Sequence, residues 1–517
     1  MAYIIEQKIK DRIYLYKVES YWDKDKKQSR QKRTYLGPKN PKKKLVIRKT
    51  NATIIHKNYG NVFLLRTILQ RTGLSDIIKN VFPYNHKEII ALAFYEIIEA
   101  SPLYLFPYWL QEHYMPKTKK IDSSGISKLC DFIGHQQQLV FDFIEQWIKH
   151  LQPVEALYYD VTSISSYSTN IDYVEWGYNR DKEKLPQVNL GLIYSQKHAL
   201  PIYYAIHQGS IVDVNTLKNK ITYLKKFGLK QFVFVLDRGF CSISNIKQMS
   251  KADNDISFIQ PLSFSLKIAR ELVKSHKKVL HDINSSFKYN NEMLSHAQSE
   301  IYLSDTPLIA HVFLNEKVEL DQRQRLLSEL IEIEENIIRH KTFDSLKAAT
   351  DFKKNNIQKK YQELFKWNRQ TKNLERKSKT IKAKIARFGY FVIVTNIREL
   401  DRISILENYR NRDNVEKVFD LLKNEMDGNR LRAHNSYNSD ARLFIKFISL
   451  IIQSEIIRTM KNKKLFKKYT LHEMLANLRK IKLTKIDNDK FILSEVSKQN
   501  RLILEAFNID PTDLHRY

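Results

Sequence analysis

Residues 231–240 read Gln-Phe-Val-Phe-Val-Leu-Asp-Arg-Gly-Phe. Gln231–Leu236 is a short apolar run rich in valine and phenylalanine, and it halts at Asp237-Arg238-Gly239. Its length and composition predict a buried strand. A second short apolar run, Ala156–Asp160, also ends in an aspartate. Between the two, Gln187–Tyr194 and Pro201–His207 are strand-like, set off by Leu185-Pro186 and Ala199–Pro201. Val214–Phe227 has amphipathic helical spacing and ends at Gly228. The order strand, strand, strand, helix, strand indicates an α/β fold with an Asp closing its first and last strands.

Outward from this block the rhythm breaks. In 246–387, Glu300–Leu303 and Leu308–Leu314 are candidate strands, and Val318–Ile385 is polar, charged and largely helical. Leu326, Leu330, Ile333 and Ile337 repeat at 4-3-4 spacing, as in a helical hairpin or short coiled coil. Lys372–Arg387 reads as a basic helix closing an insertion. At Gly389 core-like sequence resumes: Tyr390–Thr395 as a buried strand, Ile403–Met426 as a helix, and Leu443–Met460 as an apolar helix. Towards the start, Asn61–Thr72, Lys87–Glu99 and Leu139–Lys149 have helical spacing, and Tyr3–Glu6 and Ile13–Ser20 alternate as strands do. The expected divisions are a basic β-rich arm (1–50), a helical accessory domain (51–150), a core in two parts (151–245 and 388–460), an insertion (246–387) and a basic helical tail (461–517).

Composition narrows the function. The 517 residues carry 87 Lys+Arg against 57 Asp+Glu, a net charge of +30, which points to a polyanionic partner, nucleic acid before anionic membrane. Residues 1–50 alone hold 16 basic and 5 acidic side chains. The runs Lys24–Arg33 and Lys39–Lys49 read equally as a solvated hairpin tip with its linker or as a DNA-backbone arm. Two cysteines exclude a disulfide framework and a cysteine-rich zinc site, and fit a reducing cytoplasm. No secretory signal is expected at Met1–Gln7, and the most apolar windows, Ile89–Leu110 and Phe444–Ile457, are interrupted by charges and read as buried helices. The chain has no GxxxxGK[ST] loop, GxGxxG, HExxH or CxxC pair, so no nucleotide cofactor is expected.

Any catalysis then uses scattered carboxylates, hydroxyls or imidazoles, and three acids sit where chemistry would want them. Asp160 and Asp237 each end a strand, and Glu416 lies on a helix after a third. Acids at the ends of neighbouring strands, joined by one from a helix laid across them, can converge to bind two Mg2+ ions, which prefer oxygen ligands. Such a pair activates water on one side of a phosphodiester and stabilises the leaving oxygen on the other. Each acid also has an ordinary use: an Asp after a strand forms turns, and Asp413-x-x-Glu416 has the spacing of a capping box. Tyr409, Arg412, Glu416 and Lys423 share one face of a continuous helix, which suits a phosphate-bearing ligand; Asp413 as a cap would break that face.

The spacing Tyr409-x2-Arg412-x3-Glu416-x6-Lys423 resembles the YREK motif of bacterial insertion-sequence transposases of the DDE superfamily. Asp160-Val161-Thr162-Ser163, Leu236-Asp237-Arg238-Gly239-Phe240, Gly177–Asp181 with Leu185–Val188, and Arg432-Ala433-His434 resemble further blocks of that family, over roughly 150–460. The resemblance implies an RNase H-like core, a mixed five-stranded sheet with helices on both faces, interrupted here by a largely helical insertion between Asp237 and Glu416. By the same resemblance Asp160, Asp237 and Glu416 are catalytic metal ligands for two Mg2+ ions, with Mn2+ as substitute, and Tyr409, Arg412 and Lys423 contact DNA. The activity implied is binding of terminal inverted repeats, metal-assisted cleavage, and joining of the 3′-OH to target DNA by a dimer in the bacterial cytoplasm, at the nucleoid, with no membrane partner. Two other readings stand beside it: an inactive DNA-binding derivative, and an RNase H-like nuclease without strand transfer.

Overall fold

The computed structural model describes residues 2–10, 12–39, 54–211, 224–229, 232–250, 256–303, 305–339, 342–426, 428, 430–486 and 490–515. The chain divides into two units, 1–55 with 484–492, and 56–483 with 493–517. In the first unit, β1 (Ala2–Ile9), β2 (Arg12–Asp23) and β3 (Gln28–Pro38) form an antiparallel meander. The strands run longer than the alternation implies. Only Lys24–Lys27 makes the turn, and the rest of the basic run is strand, because Arg33 and Lys32 pair with Val18 and Glu19 of β2. The expected second basic run, Lys39–Lys49, lies outside the described residues except for Lys39.

β4 (Ile54–Asn58) leads into the helices of the second unit at Gly60–Arg71, Leu74–Val81, His86–Ile98, Phe106–Glu112, Ser123–His135 and Gln137–His150. Three of these were legible from apolar spacing, to within two residues at each end. No single described helix is long and apolar enough to cross a membrane. The helices surround Ser436–Asn462, a 27-residue helix buried along most of its length and capped by the Asn435 side chain. Phe444 meets Phe82 and Phe143 there. Gly134 allows the closest approach, since a β-carbon on it would lie 2.1 Å from the Tyr437 carbonyl.

The strands that follow are β5 (Ala156–Ser165), β6 (Gln187–Ser195), β7 (Leu200–Gln208), β8 (Val233–Leu236), β9 (Ser257–Pro261), β10 (Ser286–Tyr289), β11 (Glu292–Leu303), β12 (Thr306–Leu314), β13 (Phe365–Asn368), β14 (Asn373–Arg376) and β15 (Tyr390–Thr395). β16 (Lys482–Ile486), β17 (Lys490–Leu493) and the helix Lys498–Ala506 come last. Among the described residues nine strands make one mixed sheet, ordered β10-β11-β12-β15-β9-β8-β5-β6-β7. β5, β6 and β7 are antiparallel, β5, β8 and β9 run parallel, and β15 is antiparallel to both β9 and β12. The fold is therefore mixed α/β. Of the expected helix Val214–Phe227, only 224–227 lies within the described residues.

The sheet is larger than the five strands expected. β9 to β12 fall in the stretch read as an insertion, yet they extend the same sheet, because β15 pairs with β9 on one side and with β12 on the other. What stands outside the sheet is narrower. Helices Glu316–Arg339, Leu346–Asn356 and Ser378–Ile385 and the hairpin β13–β14 enclose a small core. Of the 4-3-4 stripe, Leu326, Leu330 and Ile337 are buried in this core with Phe343, Phe365 and Leu374, and Ile333 packs against it half-buried, in place of a pairing with a second long helix. The expected basic helix Lys372–Arg387 is strand β14 followed by the short helix, since Leu374 is buried as a strand residue.

Burial sets an acid limit on this fold. His113 stacks on Trp109 at 4.4 Å and bonds its carbonyl, and desolvation lowers its pKa to about 4. His296 and His311, bonded ring to ring at 3.0 Å, are lowered likewise by burial. Each stays neutral when folded and takes up a proton on unfolding. The unfolded state therefore binds more protons below pH 6.5, and stability present above that pH is lost as pH falls. For His113 the linkage reaches about 2 kcal/mol at pH 5. His113→Gln is expected to be less stable at pH 7.5 but to lose about 2 kcal/mol less between pH 7.5 and 5, measured by denaturant unfolding at both pH values. Parallel pH profiles for both proteins would refute it.

Candidate active site

β5 and β8 pair in parallel from Ala156↔Val233 to Tyr159↔Leu236. The next residue on each strand is an acid, Asp160 and Asp237, so register alone sets the two side by side just past the last shared rung. β8 stops there because Arg238–Phe240 turns into a 3-10 helix. β5 does not stop. Val161–Ser165 stays paired with β6, so Asp160 lies within the strand and not at its end as the apolar run implied. Buried Gln260 on β9 donates to the Asp237 carbonyl at 2.9 Å and pins this corner. The Asp160 carboxylate accepts from the Val161 N–H at 2.8 Å. Burial pushes its carboxyl up to about 6, with Asp237 adding to the shift and the Val161 bond, Arg180 and Arg412 opposing it.

The expected helix Ile403–Met426 is three pieces: Arg402–Arg410, Asp413–Asp420 and a π-helical turn at Leu421–Glu425. Asp401 caps the first, its carboxylate accepting from Ser404 N–H at 2.6 Å. Tight bonds from Asn414 N–H to the Asn411 carbonyl and from Val415 N–H to the Arg412 carbonyl link the first two pieces. Asp413 is the first residue of its helix and forms no side-chain cap, so the capping box with Glu416 is absent. Arg412, not Asp413, precedes that helix, and the single face read from uniform helical spacing is therefore not one surface.

The breaks nonetheless gather the side chains. The Arg412 guanidinium pairs with Asp237 and lies 3.2 Å from Glu416, and its carbon sits 5.2 Å from the Tyr409 ring centre. Its side chain is only 14% exposed. Burial works against its charge, but Asp237, Tyr409 and Glu416 outweigh that and hold its pKa above the ordinary value. Lys423 Nζ lies 2.5 Å from Asp181 and its side chain is 11% exposed. Two of the three acids and Tyr409 thus meet on one guanidinium, with Asp160 beside Asp237, while Lys423 holds the loop that carries Asp181.

Three carboxylates are the hard oxygen donors that a divalent cation prefers. As placed, Asp237 and Glu416 have Arg412 as their counter-charge, and among the described residues no three His, Cys, Asp or Glu side chains are grouped closely enough to hold a metal ion. The donor set fits such an ion in chemistry, and Arg412 now lies between two of its members, Asp237 and Glu416.

Two further residues of the site, Glu183 and Gln260, lie outside every motif of the sequence, and Asp181 stands only as the end of the block Gly177–Asp181. Asp181 and Glu183 pair with Lys423 and Arg430, tying the loop after Gly177 to the chain beyond Glu416. The signals for this loop in the sequence are its family resemblance and its alternation of basic and acidic residues, Arg180-Asp181-Lys182-Glu183-Lys184. Gln260 in an apolar strand carried one too, since a buried amide needs a partner.

Residues 155–452 match the family described as Transposase DDE domain. No curated protein matches the chain. Among solved structures, the cryo-EM structure of the piggyBac transposase synaptic complex with hairpin DNA is similar over 84% of this chain and 75% of that chain, at 10% identity and a TM-score of 0.36.

Proposed function

Because the chain belongs to the Transposase DDE domain family, we propose that it binds the terminal inverted repeats of an insertion sequence, cleaves DNA there, and joins the freed 3′-OH to target DNA. The observation that carries this reading is the pairing of β5 with β8, which sets Asp160 and Asp237 side by side, with Glu416 delivered to the same place through Arg412. Strands β7-β6-β5-β8-β9 make a mixed five-stranded unit within the larger sheet, which supports an RNase H-like core.

In this reading Asp160, Asp237 and Glu416 hold Mg2+, with Mn2+ as a substitute. When bound, two such ions polarise the phosphate and lower the pKa of the attacking water. The remaining work belongs to the chain. Arg412, planar and able to make two parallel bonds, grips a phosphate oxygen pair near the scissile bond and in doing so releases Asp237 and Glu416. Tyr409 supports the guanidinium from below, and Lys423 supplies a point charge to the next phosphate. Both steps are in-line displacements at phosphorus: water attacks and a 3′-oxygen leaves as the 3′-OH, then that 3′-OH attacks a phosphate of the target strand and the target's own 3′-oxygen leaves as a 3′-OH. The net charge of +30 and the basic meander β1–β3 favour retention on duplex DNA. Holding two ends together calls for a dimer on DNA.

The test uses the full chain, Mg2+ and a DNA fragment spanning both ends of the genetic element that encodes it. Nicks with 3′-OH at those ends, followed by products joined to a second DNA, are expected. Cleavage without joining would replace the reading by that of a nuclease, and binding without cleavage by that of an inactive derivative.

A further inference from the structure

A cavity of about 900 Å³ opens where the segment after Gly428 crosses the end of β5. The Leu431 N–H donates to the Ser165 carbonyl at 2.9 Å, so the cavity floor is fixed to the strand that carries Asp160, roughly 17 Å farther along. Arg430, Arg432, Arg442 and His434 line it, together with Asn170 and hydroxyl and apolar side chains, and among the described residues no carboxylate does. Two of its aromatic walls face solvent: Tyr167 is 73% and Tyr104 62% exposed. Arg430 lies over the Tyr167 ring, its guanidinium carbon 4.7 Å from the ring centre, and is held there by Glu183 at 2.8 Å. Arg442 donates to the Arg432 carbonyl, while its Nε and the Nη1 of Arg430 are buried without a hydrogen-bond partner.

We infer that this cavity binds a single-stranded segment of DNA, with a base on the Tyr167 ring and phosphates on Arg432 and Arg442. The inference rests on the proposed DNA-cleaving function and adds a second, separate site to it. Its chemistry selects the ligand. Three arginines against the one carboxylate of Glu183 leave an excess of positive charge that suits a polyanion, and exposed rings beside them suit open base faces, which single strands offer and duplex conceals. The volume is that of a pocket for a small molecule, not of a channel for duplex. A phosphate alone would leave the tyrosines unused.

Fluorescence anisotropy on the full chain in EDTA tests this with two probes: an oligothymidylate of roughly twelve nucleotides, within the ~4–16 nucleotides that such sites cover, and a mixed-sequence duplex of equal length. Tyr167→Ala is expected to weaken oligothymidylate binding about tenfold and duplex binding less than about twofold, with Tyr167→Phe near wild type, since stacking needs the ring and not the hydroxyl. Arg432→Gln should make the salt slope on the single strand shallower by about 0.7. Ultraviolet cross-linking of unaltered protein to iododeoxyuridine-substituted single strand, mapped by mass spectrometry, is expected to mark Tyr167 or Tyr104, and it does not depend on any variant folding. Oligothymidylate binding indifferent to Tyr167→Ala, or equal loss on both probes, or cross-links only elsewhere, would overturn the site. Failure of the unaltered chain to bind either probe would instead count against the DNA-processing reading itself.

Discussion

Asp160→Ala, Asp237→Ala and Glu416→Ala are each expected to lower Mg2+-dependent strand cleavage by at least about 10³-fold, equivalent to roughly 4 kcal/mol of barrier. Binding of duplex DNA in EDTA should not weaken in any of them, because each removes a negative charge from a DNA-facing site. The three differ in surroundings, and that predicts a second effect. Burial holds the Asp160 carboxyl up to about 6, so it is partly protonated in mildly acid solution, and a protonated carboxyl does not ligate. Mn2+ binding to the unaltered chain should therefore weaken as pH falls through about 6, and Asp160→Asn should flatten that profile. Titration calorimetry with Mn2+ at pH 7.5 and 5.5 reads it directly. Near-normal cleavage by any alanine variant removes that acid from the site.

Arg412→Ala is expected to move two quantities in opposite directions. Cleavage should fall by about 10²-fold, the usual size of losing one preorganised contact to transition-state charge. Mn2+ affinity of the DNA-free chain should rise, because Asp237 and Glu416 lose the guanidinium that now neutralises them. Stability in EDTA should drop, since a half-buried ion pair that loses one partner leaves charge uncompensated. Added Mn2+ should restore it. Arg412→Lys should recover little cleavage, as a point charge does not reproduce a planar two-bond grip. If Arg412 only braced the fold, the variant would melt earlier with unchanged metal affinity, and cleavage per folded molecule would stay near wild type. Calorimetry, thermal unfolding and single-turnover cleavage together separate the two cases.

What the residues made legible was local. Val-Phe-Val-Leu before Asp237 and Tyr-Phe-Val-Ile-Val-Thr at 390–395 are apolar on both faces, and both are interior strands. The YREK spacing picked out four residues, three of which lie together. Their arrangement was not legible, because helical spacing assumes about 100° per residue throughout, and the chain spends its turns unevenly at 411–412 and at Leu421–Glu425. The span of the sheet was hidden for another reason. β9 and β15 are 128 residues apart in sequence and adjacent in space, a pairing fixed by long-range register that no local pattern records. An apolar run that stops at Asp160 implies a strand end, yet Val161-Thr162-Ser163-Ile164, three of them β-branched, continues the strand paired to β6.

The position of β15 also governs how the chain is made. β9 has left the ribosome long before its neighbour β15 exists. At about 5–20 residues per second the wait is on the order of ten seconds. Until then β9 and β12 each present an open hydrogen-bonding edge, and the strand that closes both is itself an uncharged, aromatic and β-branched segment. The nascent protein therefore passes through an interval in which two unsatisfied edges and one adhesive strand coexist. A second copy emerging nearby can donate its own β15 to the gap. Slowing this mispairing, by diluting the nascent chains or shielding the β9 edge, is therefore expected to raise the soluble yield without any change to the finished sheet.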